Sequence, residues 1–103
     1  MPSLTPLFQP NFEIKFLTSY SQLTVKEQKA IDKAIAFLST NPRHPALNTH
    51  KATNVKAKYK VGGNEVFIAY ASKKLRITFE YGPRLGMITI RNCGYHDECE
   101  QDM

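Results

Sequence analysis

Residues 66–93, VFIAYASKKLRITFEYGPRLGMITIRNC, decide the fold through their punctuation. Three runs rich in β-branched and aromatic residues, 66–71, 75–81 and 87–93, are separated by Ser72-Lys73-Lys74 and by 82–86. Connections that short join antiparallel neighbours and leave no room for a crossover helix. Side chains alternate across a strand, so Leu75, Ile77 and Phe79 share one face while Arg76, Thr78 and Glu80 share the other. In the last run, the same alternation sets Ile88 and Ile90 against Thr89, Arg91 and Cys93. The apolar face requires a cover. The opposite face presents Arg76 and Arg91 on adjacent strands, with His96 just past Gly94.

The cover comes from upstream. TVKE at 24–27 has the form of a capping box, in which the Thr24 side chain accepts from an early helical N–H and Glu27 reaches back to the Thr24 N–H. Ala30, Ile31, Ala34, Ile35 and Leu38 then recur at steps of mostly three or four, which gives a single apolar stripe, and Asn41-Pro42 stops the helix. Residues 19–23 read as a short helical turn ahead of it. Before that, FEIKF at 12–16 alternates with period two and reads as a half-buried strand. The Pro-containing arm, 1–11, reads as irregular. Residues 42–64 hold two Pro, two Gly and four Lys without a sustained period. They read as a long loop with a brief extended piece at 58–61 and a turn at Gly62-Gly63-Asn64. The expected fold class is therefore α+β: a small antiparallel β-sheet with an N-terminal helix or helical hairpin packed on one face.

The 103 residues, 42% apolar and 22% charged, suit one globular domain spanning 1–103 with an acidic tail at 99–103. No apolar run approaches the roughly 18 to 20 residues of a membrane span. MPSLTPLFQP lacks the basic-then-apolar build of a secretory signal, so the expected location is cytoplasmic. Charge is unevenly placed: residues 51–91 carry nine basic and two acidic side chains, whereas 97–103 carry four acidic and no basic ones. Such a basic segment suits a polyanion. Cys93, His96 and Cys99 form a C-x2-H-x2-C arrangement, but no fourth ligand accompanies them, so no metal site is expected. The plainer reading has Cys93 closing a strand and Cys99 in a loose tail. His44, between prolines, reads as a turn residue.

Three stretches carry a resemblance to a known family. They are NPRHPALNTHKA at 41–52, LRITFE at 75–80 and IRNCGYHDE at 90–98. In this order and spacing the chain resembles the RelE/ParE superfamily of bacterial toxins from type II toxin–antitoxin systems, over residues 12 to about 98. The resemblance implies the RelE/ParE-like fold, a cognate antitoxin protein as partner, and for many members action on the ribosome and mRNA without metal or other cofactor. It places Arg76 at the family's phosphate-binding arginine and His96 at its catalytic position after the glycine. His50 falls on the histidine used by a histidine-rich branch similar to YafQ. Two departures stand out: Phe67 and Ala69 occupy positions where basic members carry lysines, and the tail Cys99-Glu100-Gln101-Asp102-Met103 lacks the aromatic that commonly follows His-Asp-Glu.

The reaction implied is attack of a ribose 2′-OH on the adjacent phosphate, giving a 2′,3′-cyclic phosphate. It calls for a base, an acid and cations for the pentacovalent phosphate. Imidazole suits the first two roles and guanidinium the third. The candidate catalytic set is His96, His50 and Arg76, and the candidate RNA-binding set is Arg91, Lys51, Lys56, Lys58, Lys60, Lys73 and Lys74. On another reading, Arg76 and Arg91 only pair with Glu80 and Glu65 across the sheet. Two further functions fit the same resemblance: a ParE-like, non-enzymatic inhibitor of DNA gyrase, and a degenerate homologue that only binds an antitoxin.

Overall fold

The computed structural model describes residues 8–61 and 63–103. In chain order the elements are β1 (Gln9–Phe12), α1 (Ile14–Ser21), α2 (Val25–Thr40), a 3-10 turn (Pro45–Leu47), β2 (His50–Lys56), β3 (Glu65–Tyr70), β4 (Leu75–Tyr81), β5 (Met87–Tyr95) and α3 (His96–Gln101). Among the described residues the strands form one five-stranded sheet in the order β1-β5-β4-β3-β2. β2 to β5 run antiparallel to their neighbours, and β1 adds parallel to β5 at the edge. The α+β class stands, and no described helix is long and apolar enough to cross a membrane.

α2 starts where its sequence says it should. Thr24 Oγ1 accepts from Glu27 N at 3.2 Å, and Glu27 Oε1 accepts from Thr24 N at 2.9 Å. Its stripe of Ile31, Ala34 and Leu38 meets Leu75, Ile77, Phe79, Ile88 and Ile90 in the core. Tyr95 Oη donates to the Glu27 carboxylate. That bond, with the Thr24 N–H, holds the Glu27 carboxyl below its ordinary pKa.

Upstream of α2 the expectations shift by a few residues. FEIKF is not a strand: β1 ends at Phe12, and Ile14 onward is helical. Five residues of alternation also contain the i,i+4 pair Phe12 and Phe16, and the latter repeats to Tyr20. Ring centroids lie 5.2 Å and 5.6 Å apart along that series; Phe16 and Tyr20 stack within α1, and Phe12 packs on Phe16 from the end of β1. The arm at 1–11 is likewise not wholly irregular, since β1 begins at Gln9; residues 1–7 lie outside the described residues, as does Gly62 of the expected turn.

The stretch 42–64 holds β2, which the sequence reading missed, whereas 58–61 contains no strand. β2 pairs His50 with Ile68 and Lys51 with Phe67, then shifts register before Lys56 meets Glu65. Such an edge strand is held by backbone groups, and lysines discourage further strand addition, so it leaves no apolar alternation to read.

β5 differs from the expected parity at one residue. Thr78 pairs with Asn92 but Phe79 pairs with Ile90, so Arg91 is the extra residue of a bulge. Beyond the bulge the faces exchange. Cys93 pairs with Ile77 and joins the core, while Asn92 turns to the face of Thr78. Phe67 and Ala69, paired with Phe79 and Ile77, are also core residues rather than surface positions. The residues of β3 on the other face are Val66, Ile68 and Tyr70.

Finally, 96–101 is helix rather than loose tail, and Cys99 is buried. Its thiol faces Arg76 O at 3.8 Å. α3 thus packs on β4 and β5, and the tail after it reaches α1 through Asp102 and Lys15.

Candidate nucleic-acid interface

The face under α3 collects most of the residues singled out by chemistry. Arg76 projects from β4 beside Tyr70 of β3, with its guanidinium carbon 3.5 Å from the Tyr70 ring centroid. This stacking fixes the plane of the guanidinium. Arg76 Nη1 donates to the main-chain oxygens of Ser72, Lys73 and Leu75 at 3.1 to 3.2 Å. The residue therefore braces the β3–β4 hairpin, and its side chain is only 7% exposed. Its Nε has no hydrogen-bond partner despite being buried. Leaving a charged donor unmade is costly, so such an atom marks a place where an anion fits.

His96 begins α3, and its N–H donates to Lys74 O at 2.9 Å, which seats the residue against the hairpin. Gly94, at φ 149°, carries the chain there through a conformation that side chains disfavour. His96 Nδ1 lies 2.9 Å from Asp97 Oδ1, and Nε2 lies 3.2 Å from Glu100 Oε2. The same oxygen lies 3.9 Å from Arg76 Nε. An imidazole and a guanidinium thus converge on one carboxylate oxygen. Beside them opens a cleft of about 330 Å³ lined by Lys73, Lys74, Arg76, Tyr95, His96 and Asp97.

His50 reaches this group only through an aromatic neighbour. Its exposed ring sits edge-on to Tyr70, 6.0 Å between centroids, and Nδ1 is 3.1 Å from Asn48 O. Tyr70 therefore stands between His50 and Arg76. Sequence reasoning passed over it, although its place opposite Arg76 in the β3–β4 register was available once the hairpin was drawn. His44 caps the 3-10 turn through its ring and stacks on Phe37 at 4.4 Å, a structural role.

Arg91 lies apart from Arg76. Its Nη1 donates to Glu80 at 2.6 Å and its Nε to the main-chain oxygen of Met103 at 3.0 Å. Glu65 pairs with Lys51 instead of an arginine. Arg91 joins Lys15, Lys56 and Lys58 around a second cleft of about 340 Å³. Glu80, wholly buried, organises that cleft by accepting from the N–H groups of Lys58 and Tyr59 at 3.0 and 2.9 Å. Lys60 is exposed just beyond, at a positive φ of 59°. Of the candidate residues, Lys73, Lys74, Arg76 and His96 line one cleft and Lys56, Lys58 and Arg91 the other, whereas His50, Lys51 and Lys60 line neither.

The cysteines belong to neither cleft. Both are free and buried, and desolvation pushes each thiol up to about 12. Among the described residues no three His, Cys, Asp or Glu side chains are grouped to hold a metal ion.

With this geometry in place, comparison with solved structures is informative. The chain superposes on the RelE–RelB complex structure from the archaeon Pyrococcus horikoshii with a TM-score of 0.64 and 10% identity, covering 86% of this chain and 94% of that one. The chain has the fold of the RelE and YafQ toxins. The DinJ–YafQ toxin–antitoxin complex of E. coli matches at TM-score 0.64 and 7% identity, covering 89% and 96%. A metal-bound toxin from Helicobacter pylori matches at 0.64 and 19%, covering 88% and 97%. No protein-family model and no curated protein matches the sequence. At such identities the shared RelE/YafQ fold is a backbone property and does not by itself carry a function.

Proposed function

We propose that this protein is the toxin of a type II toxin–antitoxin pair and inhibits translation as a metal-independent, ribosome-dependent mRNA endoribonuclease. One observation carries the reading: His96 Nε2 and Arg76 Nε point at a single anionic oxygen, at 3.2 and 3.9 Å, on the face that also holds Lys73 and Lys74. In the reaction, that oxygen's place is taken by a phosphate oxygen. Arg76 offsets the charge that builds on the pentacovalent phosphate, held ready by its Tyr70 stack. His96 donates a proton to the departing 5′-oxygen, and His50 at the β2 edge accepts the proton of the 2′-OH. Lys73 and Lys74 hold the strand at one cleft, with Lys51 on β2, while Lys56, Lys58, Lys60 and Arg91 extend the track on the other side of α3. A base stacking on Tyr70 or Tyr95 would serve where the tail lacks an aromatic.

The solved neighbours that contain RelB and DinJ support an antitoxin partner, which here would be an acidic segment covering the basic face. The test is induced expression in a bacterial host with mapping of cellular mRNA 5′ ends. New ends within translated frames, lost in His96→Ala, are the expected result. Intact mRNA with DNA damage insensitive to His96→Ala would instead establish the gyrase-inhibitor reading. Absence of both effects would leave an antitoxin-binding homologue.

A further inference from the structure

The acidic tail occupies the cationic face that the proposed RNA track requires. Glu100 Oε2 fills the point on which His96 and Arg76 converge. Asp102 takes Lys15 at 2.7 Å, and the main-chain oxygens of Asp102 and Met103 accept from Asn92 Nδ2 and Arg91 Nε at 2.7 and 3.0 Å. The tail's oxygens thus engage donors of both clefts. Arg76 Nε nevertheless stays without a hydrogen bond, because the Glu100 oxygen stops at 3.9 Å. A planar carboxylate reaching from a helix leaves that donor unmet. A phosphodiester, whose two non-bridging oxygens are not tethered to a helix backbone, can approach it more closely.

We propose that residues 97–103 are a displaceable plug: Glu100, Asp102 and the main-chain oxygens beside them hold the positions of RNA phosphates, and the part of α3 beyond His96 swings off β4 and β5 when RNA enters, while the His96 N–H stays on Lys74 O. This regulation rests on the nuclease reading for its purpose, though not for its detection. α3 is short, six residues, and Cys99 is its one buried apolar side chain among those described, the rest of its hold being polar. A segment with so little buried apolar area opens at a cost far below that of global unfolding. The plug adds specificity. Loose RNA must compete with an intramolecular anion, whereas a ribosome-held strand arrives at high effective concentration.

Opening uncovers Cys99, which α3 itself carries; Cys93 lines the same small cleft but stays fixed in β5 opposite Ile77, so the two thiols respond to different degrees. The whole protein would be pulse-labelled with iodoacetamide at pH 8, with and without a short single-stranded RNA, and each cysteine read by peptide mass spectrometry. RNA should raise Cys99 labelling severalfold, and well beyond any rise at Cys93. In parallel, Glu100→Gln with Asp102→Asn should tighten binding of fluorescein-labelled RNA by about tenfold, as when a competent state rises from roughly a tenth of the population to most of it. Asp32→Lys, an equal charge change on exposed α2, controls for net charge.

RNA that binds without raising Cys99 labelling, equal tightening by Asp32→Lys, or no RNA binding by either protein would each overturn the plug. Cleavage of mRNA by wild type with unchanged RNA binding in the double variant sinks the plug alone. Tighter binding and Cys99 exposure in a protein that cuts no mRNA on ribosomes keeps the plug and sinks the nuclease.

Discussion

Replacing Glu80 by alanine tests how the second cleft is built. The carboxylate is 0% exposed and accepts three hydrogen bonds, from Lys58 N at 3.0 Å, Tyr59 N at 2.9 Å and Arg91 Nη1 at 2.6 Å. Alanine leaves two part-buried N–H groups unpaired, each costing about 1–3 kcal/mol. Arg91 keeps some contact with water, since its side chain is 19% exposed, so its loss is smaller than that of a sealed cation. The total falls at about 3–5 kcal/mol, the scale for breaking a buried pair from one side. Set against a domain stability of roughly 5–15 kcal/mol, the variant should be barely folded at 37 °C. Its Tm should fall by on the order of 20 °C. Urea unfolding followed by circular dichroism measures this, with the slope m unchanged if only stability moved. A cycle with Arg91→Met isolates the pair: the double variant should lose less than the sum of the singles, by at least about 0.5 kcal/mol. Glu80→Ala within about 1 kcal/mol of the parent, or strict additivity in the cycle, would refute the claim that Glu80 holds Lys58, Tyr59 and Arg91 together.

His96→Ala should lower mRNA cleavage by about 10² to 10⁴ while leaving RNA affinity nearly unchanged, because it removes a proton donor and little field; a double variant with His50→Ala that cleaves at the wild-type rate would dismiss both histidines. Log affinity for single-stranded RNA should fall with log salt at a slope near −4 if Lys51, Lys56, Lys58, Lys60, Lys73 and Lys74 all engage, at about 0.7 per phosphate. A slope flatter than about −1 removes the electrostatic argument. Gly94→Ala should cost about 1–3 kcal/mol by denaturation although no atom lies within 4 Å of the added methyl, since φ at 149° is the whole penalty. Stability should also decline as pH rises from about 9 toward about 12, because the unfolded chain releases the protons of Cys93 and Cys99 while the folded protein keeps them. Cys93→Ala should flatten that alkaline limb in a pH series of urea titrations.

The local units were legible in the sequence. Thr24 and Glu27 fixed the start of α2 because a capping box is closed by atoms three residues apart. The β3–β4–β5 meander was legible because short connections leave antiparallel neighbours little choice, and the core set Leu75, Ile77, Phe79, Ile88 and Ile90 followed from alternation. His96 and Arg76 were recognisable from the signatures around them, whereas their meeting was not.

Features that depend on a partner distant in sequence emerged with the fold. β2 exists because β3 offers it backbone groups, and those donors and acceptors are the same whatever the side chains. The bulge at Arg91 arises from matching β5 to β4. One unpaired residue then exchanged the faces of Asn92 and Cys93, which no period-two reading contains. Likewise α3 is too short to stand on propensity. It forms where Cys99 finds a buried seat against β4 and where Glu100 and Asp102 find Arg76, His96 and Lys15. A tail rich in carboxylates looks solvated in a sequence, and it lies down on the sheet because the opposite charge is concentrated there.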